Sequence, residues 1–345
     1  MRTDRPELYV FAILLLAIPI TASTEPIDWD TDALSKVDPA ELGYATHSSI
    51  LIDGSGKVLW SFGDVDEKLQ VFSIRKSLVS TLFGTLLTNN QIELQMSLAE
   101  LGIDDKQSLS DQEKTATVLD LLKSRSGVYH PAAYETPRMF KNRPNRNEFL
   151  PGEHWFYNNW DFNTSVTIFE KLAEKSVGDA FQESIATPLE MAHFSTQDVH
   201  YVYEDASLHP AATFAMSASD LTKFGLLLLH NGVWNGQQII PADWVEEMTS
   251  PHSDIGMFGG YGYSWWVALN GLHLPFLTLP DGTFSARGTG EQMVLVIPSI
   301  DVVWVHRTRI TSPGQEMMKV VQTARLLRSL LGAHRDGSSF IERRF

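Results

Sequence analysis

The sequence contains no cysteine. Disulfide scaffolds, thiolate zinc sites, iron–sulfur clusters, thiol nucleophiles and a lipoprotein anchor on an N-terminal cysteine are therefore excluded. Positive charge is also scarce, since 27 Lys and Arg stand against 42 Asp and Glu and give a formal net charge of -15. Such a surface repels phosphate backbones, so we expect no nucleic-acid partner. The sequence also lacks G-x-S-x-G and H-E-x-x-H motifs, and its histidines show no ligand spacing, so we expect no metal and no cofactor.

Long hydrophobic runs are absent as well, and no stretch reaches 18 apolar residues. The apolar run from Tyr9 to Ile20 follows Arg2 and Arg5, and small residues come after it. This pattern predicts a cleaved secretory signal peptide over residues 1–23, with an uncleaved N-terminal anchor as the alternative. We therefore expect an exported protein, periplasmic or secreted, with no stable membrane association after cleavage.

The remaining pattern is that of one globular unit, because 43% of the residues are hydrophobic and 20% are charged. Strand-like runs at 47–52 and 57–62 flank a turn, a helix is predicted over 73–87, helical signals prevail from 97 to 250, and strands return after 255. This order predicts an α+β fold, with one sheet built from both ends of the chain and an inserted helical lobe. We expect an α/β lobe over 24–88 and 255–333, a helical lobe over 89–254, and a loose tail over 334–345.

Ser73 and Lys76 form an S-x-x-K pair at the start of the predicted helix. Residues three apart share a helix face, so the amine can reach the hydroxyl. A serine hydroxyl needs a base to become a nucleophile, and a lysine can serve if burial or neighbouring cations lower its pKa. The helix N-terminus also offers free N–H groups to a developing oxyanion. The alternative is a capping serine followed by a surface lysine.

Two further motifs could carry chemistry. Tyr157-Asn158-Asn159 ends a long loop that runs from Tyr129 to Asn159, where a phenol can relay a proton and Asn159 can hold a substrate amide. Arg287-Gly288-Thr289-Gly290 precedes the strand predicted over 292–297, and its glycines allow close approach of a substrate. Alternatively, this segment is an ordinary turn. An aromatic cluster that includes Trp265 could line a pocket for the acyl group, or it could pack at the junction between the lobes. His154 is the histidine closest to the tyrosine motif and is a further candidate.

Together these motifs resemble the penicillin-recognising serine hydrolase family, which includes class C β-lactamases, D-alanyl-D-alanine peptidases, esterases and 6-aminohexanoate-dimer hydrolases. The last branch is the most similar. The resemblance covers roughly residues 45 to 331 and implies a β-lactamase/transpeptidase-like fold with an antiparallel sheet. The stretches that carry it are Phe72-Ser73-Ile74-Arg75-Lys76-Ser77, Leu121-Leu122-Lys123-Ser124-Arg125-Ser126-Gly127, Tyr157-Asn158-Asn159-Trp160-Asp161-Phe162-Asn163, Pro188-Leu189-Glu190-Met191 and Tyr263-Ser264-Trp265-Trp266-Val267.

The resemblance also implies roles. Ser73 would be the acylated nucleophile, Lys76 its base and Tyr157 a second proton-transfer group. Substrate contacts would come from Asn159 and the segment Arg287–Gly290, with Trp265 and His154 as further candidates. The oxyanion would be held by the N–H of Ser73 and by an N–H from the strand after Gly290.

The third motif departs from the Lys-Thr-Gly of the β-lactamases, because neither Gly288 nor Thr289 supplies its cation. Arg287 could replace that cation only if strand alternation points it toward the site. Glu291 stands where relatives tend to have glycine. We therefore expect an esterase or amidase that prefers neutral or cationic small molecules, including peptide-like ones. The alternatives are a class C-type β-lactamase or D-alanyl-D-alanine carboxypeptidase, and a catalytically silent relative that binds peptidoglycan or another protein. The oligomeric state is left open.

Overall fold

The computed structural model describes residues 29–311 and 318–335. The predicted signal peptide and residues 336–345 of the predicted tail lie outside these ranges. Within them, the sequence folds into nine α-helices and thirteen strands.

The helices are α1 (Thr31–Ser35), α2 (Ile74–Thr88), α3 (Val118–Leu122), α4 (Pro137–Asn142), α5 (Asn159–Ala173), α6 (Val177–Phe181), α7 (Ala218–Leu229), α8 (Ala242–Met248) and α9 (Val320–Leu331). The strands are β1 (Ser48–Asp53), β2 (Val58–Gly63), β3 (Leu69–Gln70), β4 (Val199–Val202), β5 (Ala211–Met216), β6 (Val233–Trp234), β7 (Gln237–Gln238), β8 (Ser253–Asp254), β9 (Gly260–Tyr261), β10 (Trp266–Val267), β11 (Phe284–Gly288), β12 (Gln292–Ile297) and β13 (Val302–Arg307).

The main sheet has eight strands in the order β2-β1-β13-β12-β11-β10-β9-β8, and every neighbouring pair is antiparallel. β1 and β2 come from the start of the described chain, whereas the other six strands come from its second half. The predicted α+β fold, with one sheet built from both ends of the chain, is therefore confirmed.

Side-chain alternation along the central strands gives the sheet two apolar faces. On β12, Val294 and Val296 belong to the larger core with α2 and α7. Met293 and Leu295 point to the opposite face, where α1 and α9 complete a second core. The sheet is thus covered by helices on both sides.

Helix α2 is buried almost all round, although its leucines predict a single apolar face. The side chains of Arg75, Lys76 and Ser77 are buried together with Leu78 and Leu82. A helix surrounded in this way is central to a core. Its polar first turn therefore lies inside the protein, which makes the environment of these groups decisive for their chemistry.

The lobe division read from the sequence differs from the structure at two points. Helix α7 was placed in the helical lobe, but it packs on β1, β12 and β13 of the main sheet. The segment 89–254 also contains β4 and β5, which form a small sheet with β3. Strand β3 precedes the nucleophile candidate, so this small sheet helps to position Ser73.

Candidate active site

Ser73 lies where the chain turns from β3 into α2. Phe72 directly before it has a φ of 49°, a left-handed conformation that is uncommon for an aromatic residue and is typical of strained functional positions. Ser73 occupies the N-cap position, but its side chain makes no capping hydrogen bond. The hydroxyl is therefore free for another partner, which argues against the capping-serine alternative.

That partner is Lys76. Its Nζ lies 2.8 Å from Ser73 Oγ and 2.9 Å from the hydroxyl of Tyr157. The same nitrogen lies 4.4 Å from the ring centre of Tyr157 and 4.5 Å from that of Phe162. Burial, followed by the charge of Arg75, lowers the pKa of Lys76 well below its ordinary value. The neutral amine that a proton acceptor requires is thereby favoured.

Tyr157 reaches this amine from the last residues of the long loop, just before α5. Asn158 is the N-cap of that helix and accepts a hydrogen bond from the N–H of Asp161, which anchors the end of the loop. Burial raises the pKa of Tyr157 to about 12, although a hydrogen bond with Ser73 and the charge of Arg75 oppose this shift. The phenol therefore keeps its proton at neutral pH and can donate a hydrogen bond.

Asn159 is buried at the first position of α5. Its Nδ2 donates to the carbonyls of Ala133 and Tyr134, so this side chain fixes the backbone of the long loop against α5. Its Oδ1 is buried and has no hydrogen-bond partner within the described residues. An unsatisfied acceptor of this kind is costly and is available to a donor from outside the protein.

The segment Arg287–Gly290 closes the hairpin between β11 and β12. A Cβ on Gly288 would lie 2.4 Å from the carbonyl oxygen of Val71, so only glycine allows the end of β11 to approach the chain before Ser73 this closely. Gly290 lies against Thr308 and Ile310 instead. It is therefore the end of β11, before Gly290, that runs beside the segment leading into Ser73. The expected N–H donor after Gly290 stays a prediction.

The hairpin also explains the unusual Glu291. Its φ is 63°, a left-handed conformation that glycine adopts without strain. A glycine at this position would therefore suit the backbone, while Glu291 supplies a carboxylate whose charge favours the guanidinium of Arg287.

Arg287 does not take the place of the missing cation beside Ser73. Its Nε donates to Ser285 Oγ at 2.9 Å and its Nη2 donates to the carbonyl of His273 at 2.8 Å. The guanidinium stacks on Trp266, 4.8 Å from the ring centre. Burial lowers the pKa of Arg287 to about 9. This arrangement follows from strand alternation, because Ser285 and Arg287 share the face of β11 opposite to Ala286.

Two predicted pocket residues are placed elsewhere. Trp265 is fully buried and packs on Phe224 and Phe284, so the prediction that it contacts substrate is wrong. Its neighbour on the other face, Trp266, lies 5.7 Å from Tyr157 between ring centres. His154 stacks on Phe149 at 4.2 Å, and among the described residues the structure records no contact between it and Ser73, Lys76 or Tyr157.

Sequence reasoning missed two residues beside the amine, Arg75 and Phe162. Phe162 follows the tyrosine motif, but helix phase decides which aromatic side chain of that segment faces the site. Arg75 stands beside Lys76 in the motif, and a cationic neighbour lowers the pKa of a lysine. Burial of Arg75 was the missing signal, because arginine is ordinarily a surface residue.

Residues 29–311 and 318–335 contain neither a metal-binding cluster nor a membrane-spanning helix. No group of three or more His, Asp or Glu side chains could hold a metal ion. None of the helices in these ranges combines the length and the apolar character needed to cross a bilayer.

The sequence from residue 51 to 326 matches the Beta-lactamase family. No curated protein sequence matches the chain. A Bacillus anthracis structure assigned as a 6-aminohexanoate-dimer hydrolase is 20% identical, with a TM-score of 0.61 over 84% of this chain and 79% of the other. A Mycobacterium bovis β-lactamase is 17% identical, with a TM-score of 0.58 over 86% and 99%. A Streptomyces D-stereospecific amidohydrolase is 18% identical, with a TM-score of 0.55 over 81% and 94%.

These structural likenesses show the fold, and the family match spans most of the chain. The Ser73, Lys76 and Tyr157 cluster lies at the same strand-to-helix turn that the motif comparison pointed to. The protein therefore belongs to the beta-lactamase family and is a serine hydrolase of that fold.

Proposed function

We propose that the protein is an exported hydrolase that cleaves an ester or amide bond through an acyl-enzyme on Ser73. The observation that carries this proposal is the position of Lys76 Nζ, within hydrogen-bond distance of both Ser73 Oγ and Tyr157 OH. One buried amine, whose pKa burial lowers well below its ordinary value, thus links a nucleophile to a second proton carrier, which is the arrangement that covalent catalysis by serine needs.

Acylation begins when Ser73 Oγ attacks the carbonyl carbon of the substrate. As the new C–O bond forms, the hydroxyl proton passes to Lys76 Nζ and the carbonyl oxygen becomes an oxyanion. Collapse of this intermediate breaks the bond to the leaving alcohol or amine. Tyr157, which is 2.9 Å from the amine, gives its proton to the leaving group and is reprotonated by Lys76.

Deacylation runs the same relay with water as the nucleophile. The phenol and amine pair accepts a proton from water, the hydroxide oxygen attacks the acyl carbon, and the ester bond to Ser73 breaks. The Ser73 oxygen then recovers a proton from Lys76. Substrate and water are the only reactants consumed, and both protein bases end the cycle in their starting forms.

The oxyanion is stabilised by backbone N–H groups. The N–H of Ser73 lies at the N-terminus of α2, where the helix dipole favours negative charge. The end of β11 at Gly288 runs beside Val71, so we expect the second donor to be a backbone N–H of this strand end in place of one after Gly290. Neither donor depends on a side-chain cation, which agrees with the absence of the Lys-Thr-Gly lysine.

The acyl group that fits this site is uncharged. Aromatic rings surround Tyr157, since Trp155, Tyr261 and Trp266 all lie within 6.5 Å of it between ring centres. The guanidinium of Arg287, on the hairpin, donates two hydrogen bonds to protein groups. A substrate carboxylate therefore lacks a dedicated partner, and the overall charge of -15 also repels it.

Export rests on the sequence pattern of residues 1–23. Expression of the full chain in a bacterial host, followed by fractionation and intact mass measurement, tests it. We expect an extracytoplasmic protein that has lost about 23 residues, and a full-length cytoplasmic protein would contradict export.

The catalytic proposal is tested with a fluorophosphonate probe and mass spectrometry. We expect one adduct on Ser73, together with hydrolysis of p-nitrophenyl acetate or butyrate that is lost in Ser73→Ala. Folded protein without an adduct on Ser73 would overturn the proposal. Adduct formation without turnover of any ester or amide would instead favour a binding protein that has kept a reactive serine.

A further inference from the structure

Arg75 is buried beside the catalytic amine. Only 1% of its surface is exposed, and its neighbour Lys76 is 4% exposed. Its Nη2 donates to Asn163 Oδ1 at 2.9 Å, whereas its Nη1 is buried without a hydrogen-bond partner among the described residues. A buried guanidinium with an unsatisfied nitrogen is costly, so its presence calls for a physical reason.

No carboxylate compensates this charge. Among residues 29–311 and 318–335, no Asp or Glu forms an ion pair with Arg75. The titratable groups that act on it are the phenols of Tyr134 and Tyr157, both from the loop before α5. Helix α5 contributes the neutral Asn163, and its Asp161 is bound to Ser126 instead.

Arg75 and Lys76 border the same small cavity of about 10 Å³. Its other walls are neutral: Val79, Ser80, Leu122, Phe162, Ser165 and Ser264. Two like charges in one poorly solvated space repel strongly, so one of the two groups loses its proton first. A guanidinium holds its proton far more tightly than an amine, and burial lowers the pKa of Arg75 only to about 10.

We propose that Arg75 is a positioning residue that acts through Lys76, because its uncompensated guanidinium keeps the neighbouring amine uncharged and ready to accept the Ser73 proton. This inference rests on the proposed function of Ser73 and Lys76. The same positive charge favours the phenolate of Tyr157 over the phenol, which makes transfer of the tyrosine proton to a leaving group easier. Arg75 itself touches neither the substrate nor the reacting atoms.

A purely structural role is the competing explanation. Arg75 holds Asn163, whose Nδ2 donates to the carbonyl of Ala133 in the long loop, so its loss could simply displace that loop. Displacement would slow acylation at every pH. Loss of the charge would instead raise the pKa of Lys76 and move the acid limb of the pH profile, which separates the two explanations.

The experiment measures the rate constant for labelling of Ser73 by a fluorophosphonate from pH 5 to 10, with the full mature protein and four variants. Arg75→Met removes the charge, and Arg75→Lys keeps it. Asn163→Asp places a carboxylate where Asn163 Oδ1 now accepts a hydrogen bond from the guanidinium. Asn163→Ala is the uncharged control for this variant. Thermal melting reports whether each variant is folded.

We expect the acid limb to move upward by about one pH unit or more in Arg75→Met and in Asn163→Asp. It should stay in place in Arg75→Lys and in Asn163→Ala. A folded Arg75→Met with an unchanged limb would overturn the inference. If that variant does not fold, an unchanged limb in Asn163→Asp would overturn it. Absence of labelling in the wild-type protein would refute the proposed function first, and this inference with it.

Discussion

Lys76 and Tyr157 are 81 residues apart in the chain, and the Nζ of one lies 2.9 Å from the hydroxyl of the other. The same Nζ lies 2.8 Å from Ser73 Oγ. The amine is therefore the shared member of two hydrogen bonds. Loss of the amine removes both bonds, whereas loss of the phenol hydroxyl removes only the second.

Lys76→Met should lower the rate of Ser73 acylation by about 10²–10⁴-fold, because Lys76 is the amine that contacts the hydroxyl and the phenol of Tyr157, whose pKa is raised to about 12, is the remaining group beside it. The methionine side chain fills a similar volume, so the buried turn of α2 should remain packed. Labelling by a fluorophosphonate, followed over time, measures the effect. A rate within a factor of a few of wild type would show that another group accepts the proton.

Tyr157→Phe should lower ester turnover by about 10²–10⁴-fold and keep the ring contacts to Phe162 and Trp266. The hydroxyl alone is lost, so the packing of the loop is unchanged. Pre-steady-state kinetics with p-nitrophenyl butyrate measure both steps of the reaction. Wild-type acylation together with wild-type deacylation would remove Tyr157 from the mechanism.

Gly288→Ala tests the approach of the hairpin to the nucleophile. Its Cβ would lie 2.4 Å from the carbonyl oxygen of Val71, so the backbone beside Ser73 has to move. We expect turnover to fall by at least about tenfold, since small displacements of reacting groups have large effects on rate. Ser55→Ala, a change in the exposed turn between β1 and β2, is the control. Equal activity in the two variants would contradict the close approach.

Glu113 should control the acid stability of the long loop. Burial opposes its charge, but hydrogen bonds from His130 and Arg146 outweigh this and lower its pKa from 4.5 to about 2. Because the folded pKa is the lower one, its stabilisation is present above about pH 4.5 and is lost as the pH falls toward 2. Glu113→Gln should remove this dependence and destabilise the protein by about 3 kcal/mol at pH 7.

Urea unfolding of Glu113→Gln at pH 7 and at pH 3 measures both effects. The control is Glu183→Gln, which breaks an exposed pair with Lys175 and should cost less than about 1 kcal/mol. A loss of stability in Glu113→Gln that is no larger than in the control would show that the buried network contributes nothing net.

Substrate charge provides the last prediction. The p-nitrophenyl ester of butyrate should have a kcat/KM at least about tenfold higher than the monoester of succinate, and nitrocefin should be turned over slowly or not at all. Added salt screens the net charge, so it should reduce the part of the difference in kcat/KM that this charge causes. Fast nitrocefin hydrolysis would show that the missing strand cation matters less than the geometry indicates.

Much of the local structure could be predicted because it depends on neighbouring residues. The turn at Asp53–Gly56 between two β-rich runs predicts the β1–β2 hairpin, and the leucine spacing after Ser73 predicts α2. Strands β3 and β5 are not predicted from the sequence. They pair with each other although they lie far apart in the chain, so tertiary contacts decide them.

The sequence by itself determined the chemistry that is possible: a hydroxyl nucleophile in a chain without cysteine, an amine three residues away, and a hairpin without a lysine. Only the tertiary structure decided the environment of these groups. It brought Tyr157 to Lys76, buried Arg75 without a carboxylate, and turned Trp266 toward the tyrosine while Trp265 entered the core. The physical reason is that spacing determines which side chains share a face, whereas desolvation and charge pairing arise only when distant segments pack together.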